Sequence, residues 1–423
     1  MRLLFPLTLA AILVASVPAG AQERQQFGDN LFLENVPQSV LYDGREVAGH
    51  MRTQNSYSVR GWTHDGDALL FSYRGDLYRR SSVKGDYVKL LDLPGLSLSN
   101  AKPASVCGRN GYVFTSDRDG DEYSAVYLTD GRSFDADKVS PGRSRNVSVI
   151  VSDTGDQIAY ASAEAGTGVW QLIVQPGCAD RPPQVLARGN APFYPDDFSP
   201  DGRYLLAEGP ADDGFKLSEI DLETGEETVL VEADEDVKDS AYSADGRYVF
   251  FTSNAYSDFT DLMRYDRETG ELIPVLSDVG FDIDGIAVSP DRSRMAVSYN
   301  RDGLSTILVI DMNRLELIAG PSERSPGVVS SMRFSPDGES LAMRVSQPEV
   351  PWRSGLYDYR TGAFEPWTGG FKPNQKMTSL VPDLTTYKTF DMDGDAPRRI
   401  PLLAYCPSTA SPENPAPVVI FAH

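Results

Sequence analysis

The sequence predicts an all-β protein: a seven-bladed β-propeller with four-stranded blades, followed by the start of a domain of a different, α/β kind. Three observations carry that prediction. They are a self-similarity with a period in the forties of residues, a second family of glycine turns in phase with it, and a tail past residue 380 where the repeat stops and the hydrophobic pattern changes.

The chain has 423 residues, and its first 21 read as a secretory signal peptide. Met1-Arg2 is a short basic start, residues 3–17 are apolar, and Ala19-Gly20-Ala21 is a small-x-small cleavage site before Gln22. The apolar run is shorter than the ~20 residues that span a bilayer, and no later segment is long and apolar enough to do so. The expected location is therefore the periplasm or the medium, with no membrane span. Residues 22–58 form an N-terminal extension; its stretch 30–57 could supply an eighth blade but lacks the paired turns.

The propeller is predicted over residues 59–380. Ser199-Pro200-Asp201-Gly202 recurs as Ser243-Ala244-Asp245-Gly246, Ser289-Pro290-Asp291-Arg292 and Ser335-Pro336-Asp337-Gly338. More degenerate copies are Thr63-His64-Asp65-Gly66, Gly108-Arg109-Asn110-Gly111 and Ser152-Asp153-Thr154-Gly155. The third residue of each copy falls at 65, 110, 154, 201, 245, 291 and 337, in steps of 45, 44, 47, 44, 46 and 46. Such a period, built from strands and turns, is that of propeller blades. Asp-Gly and Asn-Gly supply the positive φ of tight hairpin turns. A second turn, Glu223-Thr224-Gly225, Glu268-Thr269-Gly270 and Arg360-Thr361-Gly362, keeps step with the first. Two strands run between the two turns, for instance Tyr248–Ser253 and Asp261–Asp266, so each repeat holds four strands. The Gly-His and Trp-Asp marks of WD40 blades are missing from every copy.

Composition narrows the partners. A formal charge of −22, from 61 acidic and 39 basic residues, repels phosphate backbones and excludes nucleic acid. The acidic residues are scattered, which reads as a solvated surface. Cys107, Cys178 and Cys406 are too widely spaced for a zinc or redox motif; they read as packing residues, with one bridge that the sequence does not assign.

Past Trp367 the period breaks, and residues 381–423 are expected to begin another domain. Tyr387-Lys388-Thr389-Phe390 and Ile400-Pro401-Leu402-Leu403-Ala404-Tyr405 flank a turn at Gly394 and predict a hairpin. A proline-rich stretch then leads to Val418-Val419-Ile420-Phe421, an apolar run suited to a strand buried on both faces of a parallel sheet. Such a sheet needs crossover helices, so the chain is expected to be the front part of a longer protein.

Propeller turns of Ser-Pro-Asp-Gly type, then TYKTFDMDGDAPRRIPLLAYCP and PAPVVIFAH, resemble the prolyl oligopeptidase family of serine peptidases. Asp393-Gly394 followed by Ile400-Pro401 matches that family's second hairpin; ENVP at 34–37 and the stretch from Arg60 are similar to exported bacterial members. The resemblance implies an α/β-hydrolase domain with a Ser-Asp-His triad, none of which is reached before residue 423. It places His423 at the start of the oxyanion loop and makes the propeller a gate for peptide substrates. No cofactor is implied. A TolB-like propeller, a periplasmic binding or scaffold module, is the alternative.

Among other candidates, His50 and His64 read as surface residues, and with His423 they are the only histidines, too few for a metal cluster with cysteine. The run 117–122, Asp-Arg-Asp-Gly-Asp-Glu, and the run 391–395, Asp-Met-Asp-Gly-Asp, misplace the glycine of a calcium loop and read as hairpin turns. The first run, Asp196-Asp197 and Asp212-Asp213 are acidic groups able to bind a peptide's amino terminus, with nothing in the sequence to rank them. Trp62, Trp170, Trp352 and Trp367 read as packing between blades.

Overall fold

A computed structural model describes residues 24–27, 31–34, 57–118, 120–131, 135–177, 182–234, 236–276, 279–321, 327–347, 350–369, 383–406 and 410–415. The signal peptide, His50, Cys178, the terminal apolar run and His423 lie outside them. The chain divides into two compact units, Met1–Arg52 and Thr53–His423. In the first, Arg24–Phe27 and Leu31–Glu34 pair as an antiparallel hairpin. The second holds seven four-stranded antiparallel sheets, and the described residues contain no helix.

Each sheet is made of four strands consecutive in sequence, spanning residues 58–91, 102–138, 144–189, 194–233, 237–276, 283–319 and 328–366. These are blades 1 to 7. The strands Tyr248–Ser253 and Asp261–Asp266 of blade 5 fall where the turn spacing predicts them.

The repeated Ser and Asp earn their places through the backbone. In blade 4 Ser199 Oγ donates to Asp201 Oδ1 at 2.5 Å and accepts from Tyr204 N at 2.8 Å, while Asp201 Oδ1 also accepts from Arg203 N at 3.1 Å. Gly202, at φ 72°, closes the turn. Ser243 and Asp245, Ser289 and Asp291, and Ser335 and Asp337 repeat the arrangement at 2.6 Å each, every serine being buried. The second turn is capped by the aspartate before it. Asp221 Oδ1 accepts from Glu223 N and Thr224 N, and its other oxygen takes both Nε and Nη2 of Arg203. Asp266 and Arg247 do the same in blade 5.

Seven apolar cores hold the ring, one in each seam between neighbouring blades. Continuous apolar runs such as Tyr248-Val249-Phe250-Phe251 follow from this, because both faces of a blade are covered. Val249 and Phe251 pack toward blade 4, while Phe250 packs toward blade 6. The last seam joins blade 7 to blade 1. Val59, Leu69 and Phe71 meet Ala342 and Trp367 there, Val59 N donates to Ser354 Oγ at 3.0 Å, and Ser354 Oγ donates to Tyr57 O at 3.0 Å. No described blade mixes strands from the two ends of the array, so this seam is closed by side chains and these few bonds.

Beyond the ring, Asp383–Asp393 and Ala396–Ala404 form the predicted hairpin, with Gly394 at φ 62° in its turn. The hairpin exposes Leu384, Tyr387, Phe390, Met392, Ile400 and Leu402.

Candidate functional site, an axial channel of divided charge

The first strand of each blade lines the axis, and in six of the seven it is bulged. The register shifts at Val59/Gly61, Val147/Ile150, Pro195/Asp197, Lys238/Ala241, Ile283/Gly285 and Val329/Ser331. A bulge leaves a residue out of the ladder and re-aims its side chain. Ser148 and Asp239 sit at such points with φ of 53° and 55°, in the left-handed region that non-glycine residues seldom enter.

Groups from these first strands, and Arg292 from the turn after one of them, surround a cavity of about 500 Å³ whose lining includes Lys102, Asp196, Asp197, Asp239 and Arg333. Apart from Arg292 of blade 6 and Lys238 of blade 5, which sit among acidic groups, the charges around it are segregated. Acidic groups come from blades 4, 5 and 6: Asp196, Asp197 and Glu208, then Asp239, then Asp284. Basic groups come from the contiguous blades 7, 1 and 2: Arg333 and Arg344, Arg60, and Lys102.

On the acidic arc, Asp196 Oδ2 accepts from Ser240 N at 3.1 Å and Ser240 Oγ at 2.7 Å. Burial and the nearby Asp239 nevertheless push its carboxyl up to about 7. Glu208 is pushed up to about 9 by burial and by the Asp196 carboxyl with which it shares a hydrogen bond. The two titrate as a pair, both raised by burial, while the hydrogen bond between them raises Glu208 and lowers Asp196. Burial also raises Asp197, against the pull of Arg292.

Arg292 stands where six other copies of the turn have glycine, and it holds φ 55°. Its guanidinium reaches across the blades: Nη1 meets Asp197 Oδ2 at 2.5 Å and Tyr242 O at 3.1 Å, and Nη2 meets Asp197 Oδ1 at 3.0 Å and Asp153 at 3.1 Å. One side chain of blade 6 thus ties blades 3, 4 and 5 at one end of the channel.

The basic arc is differently made. Lys102 Nζ donates to Val149 O at 3.2 Å and Arg333 Nη1 to Met332 O at 2.7 Å, both backbone carbonyls. Burial and the charge of Arg333 bring Lys102 down to about 8. Burial lowers Arg333, and burial with the charges of Arg344 and Arg333 lowers Arg60. Arg60 donates to Ser72 Oγ at 2.7 Å, and the Arg344 guanidinium lies 4.6 Å from the Trp352 ring.

The other sequence candidates fall elsewhere. Asp212 and Asp213 are exposed at the turn between the second and third strands of blade 4. Asp121 lines a smaller cavity of about 330 Å³ with Tyr123 and Arg143, away from the axis. Asp391 belongs to the turn of the hairpin, paired with Arg398 at 3.1 Å. His64 is exposed in a blade turn, 2.7 Å from Gly111 O of the next blade. Trp367 and Trp62 pack in the closing seam. Cys107 is disulfide-bonded, whereas Cys406 is an exposed free thiol.

Of the acidic candidates, Asp196 and Asp197 are therefore the ones that line the channel. Sequence reasoning missed Lys102, Arg333, Arg60 and Glu208, which are single charges on different blades brought together by ring closure. The readable signal was phase: Lys102, Asp196, Asp239 and Arg333 all precede the marked turn residue of their own blade by four to eight positions.

The class defined by this geometry is a seven-bladed β-propeller with a charged axial channel. No family model matches the sequence. An uncharacterized protein of Agrobacterium fabrum is 24% identical over 300 residues, which cover 69% of this chain and 85% of that protein. Among solved structures, a puromycin-hydrolyzing peptidase of Mycobacterium tuberculosis superposes with a TM-score of 0.65 at 14% identity, over 87% of this chain and 61% of that one. Prolyl oligopeptidase B of Galerina marginata superposes with a TM-score of 0.62 at 15% identity, over 85% of this chain and 57% of that one. The chain spans less than two thirds of the length of these peptidases, and at such identities the likeness is one of fold.

Proposed function

We propose that this chain is the non-catalytic propeller part of an exported serine peptidase of the prolyl oligopeptidase type, gating the access of peptides to a Ser-Asp-His site. The observation that carries this reading is the hairpin with its Asp393-Gly394 turn placed directly after a seven-bladed ring. The superposition on the mycobacterial peptidase supports it, since it takes in 87% of this chain, more than the ring alone. An axial channel with a cavity of about 500 Å³ suits a gate that passes peptides and excludes folded proteins. Export is supported by the disulfide at Cys107, a bond that persists in oxidising compartments.

The test reads the gene beyond the codon for His423 and then assays its product. Gly-Gly followed by a Gly-x-Ser-x-Gly elbow, with hydrolysis of short peptides but not of folded proteins, bears the reading out. A stop codon directly after His423 overturns it. The second reading is a TolB-like binding or scaffold propeller complete in itself; the uncharacterized Agrobacterium protein, of which the match takes in 85%, is compatible with a propeller that stands alone and names no role for it.

A further inference from the structure

We propose that the basic arc of the channel is an oxyanion site, in which Lys102 and Arg333 hold a carboxylate or phosphate group of a small ligand. The inference stands whichever of the two functional readings holds, because it rests on the channel wall and not on a neighbouring domain.

Both residues lie on first strands and face the same cavity of about 500 Å³, large enough for a ligand of several residues. Both side chains are exposed to the channel, and the ring packed around them lowers both from their ordinary values. Among the described residues, neither has a carboxylate within ion-pair distance; each finds a single backbone carbonyl. A cation in such surroundings is stabilised by an opposite charge within ~4–6 Å. The acidic arc reaches them only from beyond ion-pair distance: Asp239 attracts Arg333 and Asp196 attracts Lys102, while Asp196 is bonded to Ser240 and Glu208, and Asp197 to Arg292.

Two like charges, Lys102 and Arg333, interact across the wall, and Arg60 adds a third from blade 1. Arg333 offers a planar fork that matches an oxyanion bidentately, and Lys102 a compact point charge. The acidic arc opposite limits what enters. A polyanion is repelled by Asp196, Asp239 and Asp284, so the fitting ligand carries one oxyanion group and little other negative charge.

The experiment is calorimetric titration of the purified mature chain, residues 22 onward, at pH 7 and constant ionic strength set with chloride. The probes are N-acetyl-Ala-Ala, N-acetyl-Ala-Ala-amide and inorganic phosphate. The expected result is saturable binding of the free carboxylate, of phosphate or of both, with the amide at least ~10-fold weaker, about 1.4 kcal/mol. Carboxylate binding alone identifies a peptide end as the source, and phosphate binding alone a phosphate group. Lys102→Met and Arg333→Gln should each weaken binding at least ~10-fold, while Lys216→Met, on an outer strand, leaves it unchanged. Should either channel variant fail to fold, the wild-type melting temperature reports instead: a bound oxyanion raises it above the value in matched chloride. Absence of binding by both anions, equal binding of the amide, or binding undiminished in both folded channel variants overturns the proposal.

Discussion

Replacing Arg292 by glycine separates two effects of opposite sign at one position. The strained backbone favours the change: a non-glycine residue in the left-handed region costs roughly 1–2 kcal/mol, and Arg292 holds φ 55°. The ion pair opposes it. Arg292 and Asp197 are only 12% and 19% exposed, and removing one partner of a pair buried to that degree costs about 3–5 kcal/mol because the other charge is left behind. Tyr242 N still donates to Asp197 at 2.9 Å, which places the loss toward the lower end of that range. The contact with Asp153, itself 64% exposed, adds less than about 1 kcal/mol. The expected net destabilisation of Arg292→Gly is about 1–3 kcal/mol, read as the shift in urea midpoint at unchanged slope. The loss should be larger at pH 8 than at pH 5, because an unpaired Asp197 escapes its penalty by taking a proton. In the Asp197→Asn background the same substitution should cost less than about 1 kcal/mol. A midpoint that is unmoved or raised in the wild-type background would refute the reasoning, for the pair would then contribute nothing beyond relief of strain.

Three further outcomes follow from the ring. Asp196 and Glu208 keep protons in the folded state that an unfolded chain has released above about pH 4, so stability should fall as pH rises through about 7 and on toward 9; Lys102, lowered to about 8, acts in the opposite sense only above that pH. Glu208→Gln retains a donor for Asp196 and should flatten the fall between pH 7 and 9 in denaturation curves. Ser354→Ala leaves the buried Val59 N–H at the closing seam without its 3.0 Å acceptor and should cost about 1–3 kcal/mol, seen as a lower melting temperature. Gly111→Ala would place a methyl group 1.9 Å from Thr129 O and should cost more than about 3 kcal/mol, whereas Gly202→Ala, in open space at φ 72°, should cost only about 1–2 kcal/mol in the same melt.

The fold was legible because its information is local. Ser199, Asp201 and Gly202 build their turn from bonds spanning at most five residues, so the chemistry of a blade is written out in one short stretch and repeated. The strands of blade 5 follow from two such turns and the apolar run between them. The channel was legible only in part. Asp196-Asp197 stood out as a doublet, but the geometry that separates it from Asp212-Asp213 is a bulge, and bulges leave no compositional mark. Lys102 and Arg333 belong to blades at opposite ends of the array, and only closure of the last seam makes them neighbours on one wall. Arg292 was a visible departure from the repeat, yet its partners Asp197 and Asp153 lie two and three blades back in the chain.

The closing seam also bears on how freely the chain order could be rewritten. Because every blade is complete in sequence and the junction of blades 7 and 1 is sealed like the other six, by an apolar core, the ring does not record where its chain starts. Joining residue 368 to residue 57 through a short linker and opening the connection between any other two blades would leave all seven cores and every ladder intact. Only the loop-closure entropy would be redistributed, and that grows slowly with loop length. The position of the hairpin at 383–404 is set by chain order together with the contact of Leu403 beside Gly303 in blade 6, and moving the chain ends to another seam would carry the hairpin to a different charge arc of the channel.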